Sequence, residues 1–171
     1  MVAIDSPAYL GGLEQPSIRP YSSEDYRWAI DLLEGTGGRY RVRRGKAIDT
    51  AVLPGLVGSR GGRPSTFVAI SRTSADHELT VIASNPFDGE LVQLVIQAAI
   101  GYRKPECRRA YAITTNAQFE IQRALQQSGF RMCSTRPGSV ESLTRRSPYP
   151  IITNFDGIEV RDEVEFDLFL T

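Results

Sequence analysis

Residues 107–134 read CRRAYAITTNAQFEIQRALQQSGFRMCS, a stretch in which the types of secondary structure change clearly. The run from Arg109 to Thr114 is rich in β-forming residues and predicts a strand. Asn116 has a side chain preferred at helix N-caps, and Gly129 is a common C-terminal stop, so a helix is predicted between them. A second strand follows Gly129. The stretch therefore predicts a strand–helix–strand unit.

Upstream of this unit the pattern is that of antiparallel strands. The turn Arg60-Gly61-Gly62-Arg63 separates two β-rich runs, and glycines supply the positive φ angles of tight turns, which predicts a hairpin. His77 to Ser84 alternates apolar and polar residues as a strand does. From Asp88 to Tyr102 the apolar residues cover most of a helical surface, which predicts a buried helix.

The two ends of the chain complete this order. We expect an irregular N-terminal arm over residues 1–16, then a strand and a helix that stops at the glycines of 35–38. Residues 39–51 carry Arg39, Arg41, Arg43, Arg44 and Lys46; they read as a basic loop leading into a short helix, or as the anion-facing wall of a pocket. Residues 158–170 alternate as one long last strand.

This order predicts an α+β protein. We expect one domain over residues 17–171, with a mixed, mostly antiparallel central sheet and helices on both faces. Of the 171 residues, 41% are hydrophobic and 23% are charged, which is close to the globular average and enough for a core.

Charge and apolar runs exclude several classes of protein. Basic and acidic residues number 20 each, so the basic excess of nucleic-acid-binding proteins is missing. Because the net charge is zero, copies of the chain repel one another only weakly, which is compatible with a homodimer. We find neither a signal peptide nor a run of about 20 apolar residues, so we expect a cytoplasmic protein without a membrane segment. Cys107 and Cys133 lack zinc-ligand spacing; two free thiols are expected, with a disulfide as the alternative.

The order of elements resembles the GNAT (N-acetyltransferase) superfamily. Residues 107–116, the helix after them and the Gly129-Phe130 pair are similar to a core strand of that family, its following helix and the residues that close it. The tail from Phe155 to Leu168 is similar to the last strand of a bacterial subfamily. Ile18-Arg-Pro-Tyr and Leu53-Pro-Gly also fit, and the resemblance spans about residues 17–170.

The resemblance implies an acetyl-CoA site that this sequence alters. The family's loop reads Arg/Gln-x-x-Gly-x-Gly/Ala, whose backbone N–H groups hold the pyrophosphate at a helix N-terminus. Residues 86–91, Pro-Phe-Asp-Gly-Glu-Leu, keep only Gly89 and add two acids, which are alternatively ordinary first-turn helix residues. The tyrosine that protonates the leaving thiolate in many members is replaced by Leu125. If acetyl-CoA binds, the resemblance implies contacts from Ile82, Ala83, Gly89 and Asn116.

The acceptor side of the predicted site is better preserved. The resemblance implies that Glu78 is a general base, although it could be a solvated strand residue. His77 is a natural proton shuttle, but neighbours on a strand point to opposite faces, so at most one of the pair faces a given pocket. We expect a small-molecule substrate to be bound by residues of the first half of the chain and the central unit: Trp28, Tyr40, Arg43, Tyr111 and Asn116. No metal-ligand spacing is present, and one histidine gives little support for nucleophilic catalysis.

Three hypotheses about function follow. The first is an enzyme of this fold that works without a cofactor, using Glu78 or His77 for acid/base chemistry such as cyclisation, dehydration, decarboxylation or isomerisation. The second is an acetyl-CoA-dependent N-acetyltransferase with an atypical loop. The third is a non-catalytic binding protein, which the absence of a pocket lined by Trp28, Tyr40 and Tyr111 would favour. Fold alone does not choose among them.

Overall fold

A seven-stranded sheet forms the centre of the part of the chain that the computed structural model describes, which is residues 15–43, 46–73, 75–145 and 147–170. The side chains of residues 42, 43, 46 and 47 are outside that description. The strands in chain order are β1 (Pro16–Pro20), β2 (Tyr40–Arg43), β3 (Lys46–Asp49), β4 (Gly55–Arg60), β5 (Arg63–Arg72), β6 (Asp76–Ser84), β7 (Arg109–Thr115), β8 (Arg131–Arg136), β9 (Asn154–Phe155), β10 (Ile158–Glu159) and β11 (Glu163–Phe169).

The helices begin and end largely where capping residues predict. They are α1 (Tyr26–Thr36), α2 (Gly89–Gly101), α3 (Phe119–Gln127) and α4 (Ser139–Thr144). Ser22 caps the 3₁₀ turn Ser23–Asp25 that leads into α1. Gly37 ends α1 with a φ of 70°, a conformation that favours glycine. Within the described ranges, no helix has the length and apolar character needed to cross a membrane.

The order of strands across the sheet is β1-β4-β5-β6-β7-β11-β8. Every neighbouring pair is antiparallel except β6 and β7, which run parallel and are joined through α2. Two short hairpins, β2–β3 and β9–β10, lie outside this sheet. The predicted fold class is confirmed: the sheet is mixed and mostly antiparallel.

Apolar residues are buried on both faces of the sheet. On one face, Leu79 and Ile82 of β6 pack with Leu91 and Val95 of α2. On the other face, Val81 of β6 belongs to a second cluster that includes buried residues of α1. Helices therefore cover both faces, as predicted, and β6 contributes to both parts of the core.

Two predicted elements are wrong. The segment read as a basic loop and helix forms the hairpin β2–β3, followed by the 3₁₀ turn Thr50–Val52. The long last strand is broken into β10 and β11, because Asn116 clamps the connection between them. Its Oδ1 accepts hydrogen bonds from the backbone N–H groups of Arg161 (2.9 Å) and Asp162 (3.0 Å), and its Nδ2 donates to the Glu159 carbonyl. The N-cap of α3 is accordingly Gln118 and not Asn116.

Candidate functional site

The parallel strands β6 and β7 separate towards their carboxyl ends and open a cleft. Their pairing extends from Asp76 to Leu79 on β6 and stops there. At this point β6 has a bulge: Ala69 of β5 pairs with Val81 and Ile70 pairs with Leu79, which leaves one extra residue on β6. A bulge bends a strand and increases its twist, so it helps β6 to leave its neighbour.

The backbone of β6 beyond the bulge offers polar groups to this cleft. Asn85 N–H donates to the Ser65 carbonyl (2.9 Å), which marks a hydrogen-bonded pair of the β5–β6 ladder. Such pairs alternate along antiparallel strands. Ala83 therefore bonds towards β5, while Ile82 and Ser84 direct N–H and C=O towards the opening. The backbone groups of Ala83, predicted to contact a cofactor, therefore point away from the opening. Those of Ser84 point towards it.

One part of the cleft is a largely apolar channel with a cavity volume of about 130 Å³. It runs between the end of β6, the start of α3 and the β9–β10 hairpin. Its walls are Thr36, Ile82, Ala83, Ser84, Phe87, Ala117, Gln118, Phe119, Glu120, Ile121, Phe155, Asp156 and Ile158. A channel with apolar walls and a free strand edge can hold an extended chain that carries amide groups.

The second part of the cleft adjoins the first and has a smaller cavity volume, of about 40 Å³. Thr36, Gln118 and Phe155 line both parts, so the two are continuous. Residues between 151 and 160 pack with Ala117 and Val140 and form the outer wall. Sequence patterns gave no signal for these wall residues, because they come from several separate elements and connections.

Glu78 and Tyr111 meet where the strands begin to separate. They are register partners on β6 and β7, and Tyr111 Oη donates to Glu78 Oε2 at 2.9 Å. Glu78 is only 8% exposed. The Arg109 guanidinium lies 4.7 Å from the centroid of the Tyr111 ring, and it pairs with acids of β11. The carboxylate is therefore held in a defined position in a nearly dry environment.

His77 points away from Glu78, as strand alternation requires. It is fully buried, and its Nε2–H donates to the Ala99 carbonyl of α2 at 2.8 Å. Burial lowers the pKa of the ring, so the neutral form is favoured. His77 is a core residue that joins β6 to α2. This position does not support the expected role in catalysis.

The N-terminus of α2, where the family resemblance puts a pyrophosphate, is occupied by side chains of this chain. Asp88 is the N-cap, and its Oδ1 accepts from the Leu91 N–H at 3.1 Å. Arg60 donates to Asp88 (2.6 Å) and to Glu90 (2.8 Å). The Arg60 hydrogen bonds lower the pKa of Asp88, which stays ionised.

Leu91 and Leu125 differ from what the sequence suggests. Neither obstructs or lines the cleft: both are fully buried in the core. Leu91 packs over Gly58, where an added Cβ would come within 3.2 Å of it and 2.5 Å of Val95. The leucine at this position is therefore explained by core packing against a glycine on β4.

The remaining predicted binding residues are dispersed. Tyr40 lines the second part of the cleft and stacks on Tyr149 at 4.3 Å. Tyr111 lines a separate polar groove, and Trp28 packs against the α1-side core. The three aromatic residues share no pocket among the described residues. The Arg43 side chain lies outside those residues, Asn116 serves as the clamp described above, and Gly89 is the first residue of α2.

One group of side chains has the composition of a metal site. Ligand atoms of Cys133, Glu165 and Asp167 all lie within 4.8 Å of one another, which no sequence spacing reveals because they come from two adjacent strands. Both carboxylates are already paired with Arg109, and burial raises the pKa of the Cys133 thiol. Cys133 and Cys107 are both free, in agreement with the predicted thiols.

Comparison with solved structures gives full-length matches at low identity. A GNAT family acetyltransferase from Elizabethkingia anophelis with acetyl-CoA bound has 16% identity, covers 91% of this chain and 98% of its own, and has a TM-score of 0.58. A Bacillus subtilis acetyltransferase in complex with CoA has 16% identity, 92% and 100% coverage and a TM-score of 0.56. A ribosomal-protein-alanine N-acetyltransferase from Brucella melitensis has 14% identity, 90% and 99% coverage and a TM-score of 0.61.

No family model matches the chain, and no curated protein matches it by sequence. The structural matches nevertheless correct one expectation. A protein that uses no cofactor was expected, and this expectation is contradicted by two of the matched structures of this fold, which hold acetyl-CoA or CoA. Together with the separation of two parallel strands beside α2, these matches show that the chain has the fold of the GNAT acetyltransferases.

Proposed function

We propose that this protein is an acetyl-CoA-dependent N-acetyltransferase. The observation that carries the proposal is the opening between β6 and β7, where Ile82 and Ser84 offer backbone hydrogen-bonding groups to an apolar channel. Acetyl-CoA bound at this opening would supply the acetyl group. The matched structures of the same fold that hold acetyl-CoA or CoA support this assignment of the cofactor.

The channel residues fit the pantetheine arm of CoA. This arm is an extended chain with amide groups, so it can add to the free edge of β6 as a further strand would, through Ile82 and Ser84. Phe87, Phe119 and Ile121 provide apolar walls on the same channel. Burial of the arm against these side chains would contribute affinity in proportion to the apolar area removed from water.

Glu78 is the residue proposed to accept a proton from the acceptor amine. On β6 it directly precedes Leu79, the last residue paired with β7, so it lies close to the point where the two strands separate. Tyr111 Oη donates to Glu78 Oε2 and would fix the position of the carboxylate during proton transfer. A positioned base contributes about 100-fold to 10,000-fold to the rate of such a proton transfer.

The acid/base hypothesis without a cofactor has less support. Its two candidate groups, Glu78 and His77, lie on opposite sides of β6, and His77 is bonded to α2. The binding-protein hypothesis gains from the absence of a pocket shared by Trp28, Tyr40 and Tyr111 among the described residues. The buried Glu78–Tyr111 pair, near the last paired residues of β6 and β7, is the reason to prefer an enzyme.

Acetyl transfer to a panel of primary amines and peptides with free N-termini tests the proposal, with thiol release and acetylated product both measured. The variant Glu78→Gln should lower kcat/KM about 100-fold to 1,000-fold, because it keeps the shape and removes the base. It should leave acetyl-CoA binding unchanged. The control is Glu106→Gln, which makes the same change at an exposed acid in the connection between α2 and β7. Absence of both transfer and acetyl-CoA binding in the unmodified protein would contradict the proposal.

A further inference from the structure

We infer that the acyl donor is recognised through its acyl-pantetheine part, and that the α2 N-terminus provides no seat for the pyrophosphate of CoA. This inference rests on the proposed function and specifies its donor. The donor class is an S-acyl pantetheine thioester, for which the adenosine bisphosphate part of CoA contributes little to binding. The argument has three steps, which concern backbone donors, charge and the open channel.

Two residues of this region, Leu91 and Pro86, have no backbone N–H left for a ligand. The Asp88 carboxylate accepts the Leu91 N–H and so occupies the place that an anionic ligand takes at a helix N-terminus. Pro86, in the same loop, has no N–H to donate. A phosphate would have to displace an N-cap side chain, which stabilises the helix.

The charge of this region is unfavourable for a phosphate. Among the residues that the structure describes, Arg60 is the cation paired with Asp88 and with Glu90, and these three groups together carry one negative charge. Arg60 donates to both acids through its Nε and Nη2 atoms. An arriving pyrophosphate would meet a net repulsion that Arg60 cannot relieve without leaving its partners.

The channel beside β6, in contrast, does not depend on these groups. Neither Arg60 nor Asp88 lines it, and its backbone donors and acceptors belong to Ile82 and Ser84. The pantetheine arm of CoA would therefore fit the channel, whereas the pyrophosphate would be repelled at the α2 N-terminus. A thioester that lacks the nucleotide should lose little affinity, whatever larger carrier it comes from.

Calorimetric titration of the full chain with three probes tests this inference: acetyl-CoA, S-acetyl-pantetheine and adenosine 3′,5′-bisphosphate. We expect the Kd values of the first two to agree within about tenfold and the third to give no heat at millimolar concentration. Acetyl-CoA binding more than about tenfold tighter than S-acetyl-pantetheine would overturn the inference and leave the proposed function standing. Binding of neither thioester would instead contradict the proposed function.

The variant Asp88→Asn removes the negative charge but keeps the N-cap, because asparagine caps a helix about as well as aspartate. It should tighten acetyl-CoA binding by about tenfold and leave S-acetyl-pantetheine binding unchanged. Glu106→Gln removes one exposed acid elsewhere and should change neither Kd. If Asp88→Asn folds normally by circular dichroism and acetyl-CoA binding stays the same, Asp88 does not exclude the pyrophosphate and the inference is wrong.

Discussion

The opening between β6 and β7 and the N-terminus of α2 lie on either side of the same short loop, residues 85–88. They differ in whether side chains of the protein already bond to their backbone groups. At the opening, β6 ends its pairing with β7 and leaves polar groups of Ile82 and Ser84 directed into a channel. At α2, the Asp88 side chain satisfies a helical N–H and Arg60 neutralises part of the acidic charge. In the proposed donor site, one half would therefore be open, while the protein's own residues would close the other half.

The largest effect should come from restoring the family's last loop glycine. If α2 were only a damaged phosphate site, Leu91→Gly would repair it. Because Leu91 is fully buried in the core, we expect a loss of about 4 kcal/mol in the free energy of unfolding, from the cavity and from glycine in a helix. Urea unfolding followed by circular dichroism measures it.

Glu90→Gly is the matched control for Leu91→Gly, since the Glu90 side chain is 70% exposed in the same helical turn. It should cost only about 1 kcal/mol. Equal losses for the two variants, or tighter acetyl-CoA binding by Leu91→Gly, would show that α2 is still arranged as a phosphate site.

A smaller effect on stability should appear at low pH, at the N-terminus of α1, where Asp25 also forms an ion pair with an arginine. Arg19 donates to both Asp25 oxygens, at 2.7 and 2.6 Å, and holds the pKa of Asp25 at about 2. The folded pKa is below the unfolded value of about 3.9. The stabilisation is therefore complete above pH 4 and is lost as the pH falls from about 4 towards 2.

We expect this pair to contribute about 1–2 kcal/mol above pH 4, after allowance for the solvent around Arg19. Asp25→Asn should be less stable than the unmodified protein at pH 6, and the difference should shrink as the pH approaches 3. Glu24→Gln, an exposed neighbour, should show no such trend. A constant difference between pH 6 and pH 3 would mean that the charge of Asp25 does not stabilise the fold.

Local signals in the sequence predicted most of the sheet and the helix ends. The turn at Gly61-Gly62 and the alternation of residues 77–84 correspond to observed strands, and Gly37 and Asp88 lie at helix boundaries. The hairpin β2–β3 was missed because its run of arginines reads as a solvated loop. The break in the last strand was missed because its cause, Asn116, is more than 40 residues away in the chain.

The site was less predictable than the fold. The position of Glu78 on β6 follows from the resemblance, and its contact with Tyr111 needs the parallel register of two strands 33 residues apart. The sequence left two interpretations of Asp88 and Glu90 open, a phosphate site made negative or ordinary first-turn residues of a helix, and it gave no sign of their partner Arg60, which comes from the distant β4 strand. Leu91 was misread for a similar reason, since only packing against Gly58 explains it.

The most direct test of the comparison between the two regions is amide hydrogen exchange, measured by NMR on the full chain with and without acetyl-CoA. The Ile82 and Ser84 amides should exchange at least about tenfold more slowly with the ligand, because a bound chain pairs with them. The Ala83 amide, which already bonds towards β5, should change little and is the internal control. Protection confined to the first turn of α2, with Ile82 and Ser84 unchanged, would contradict the account.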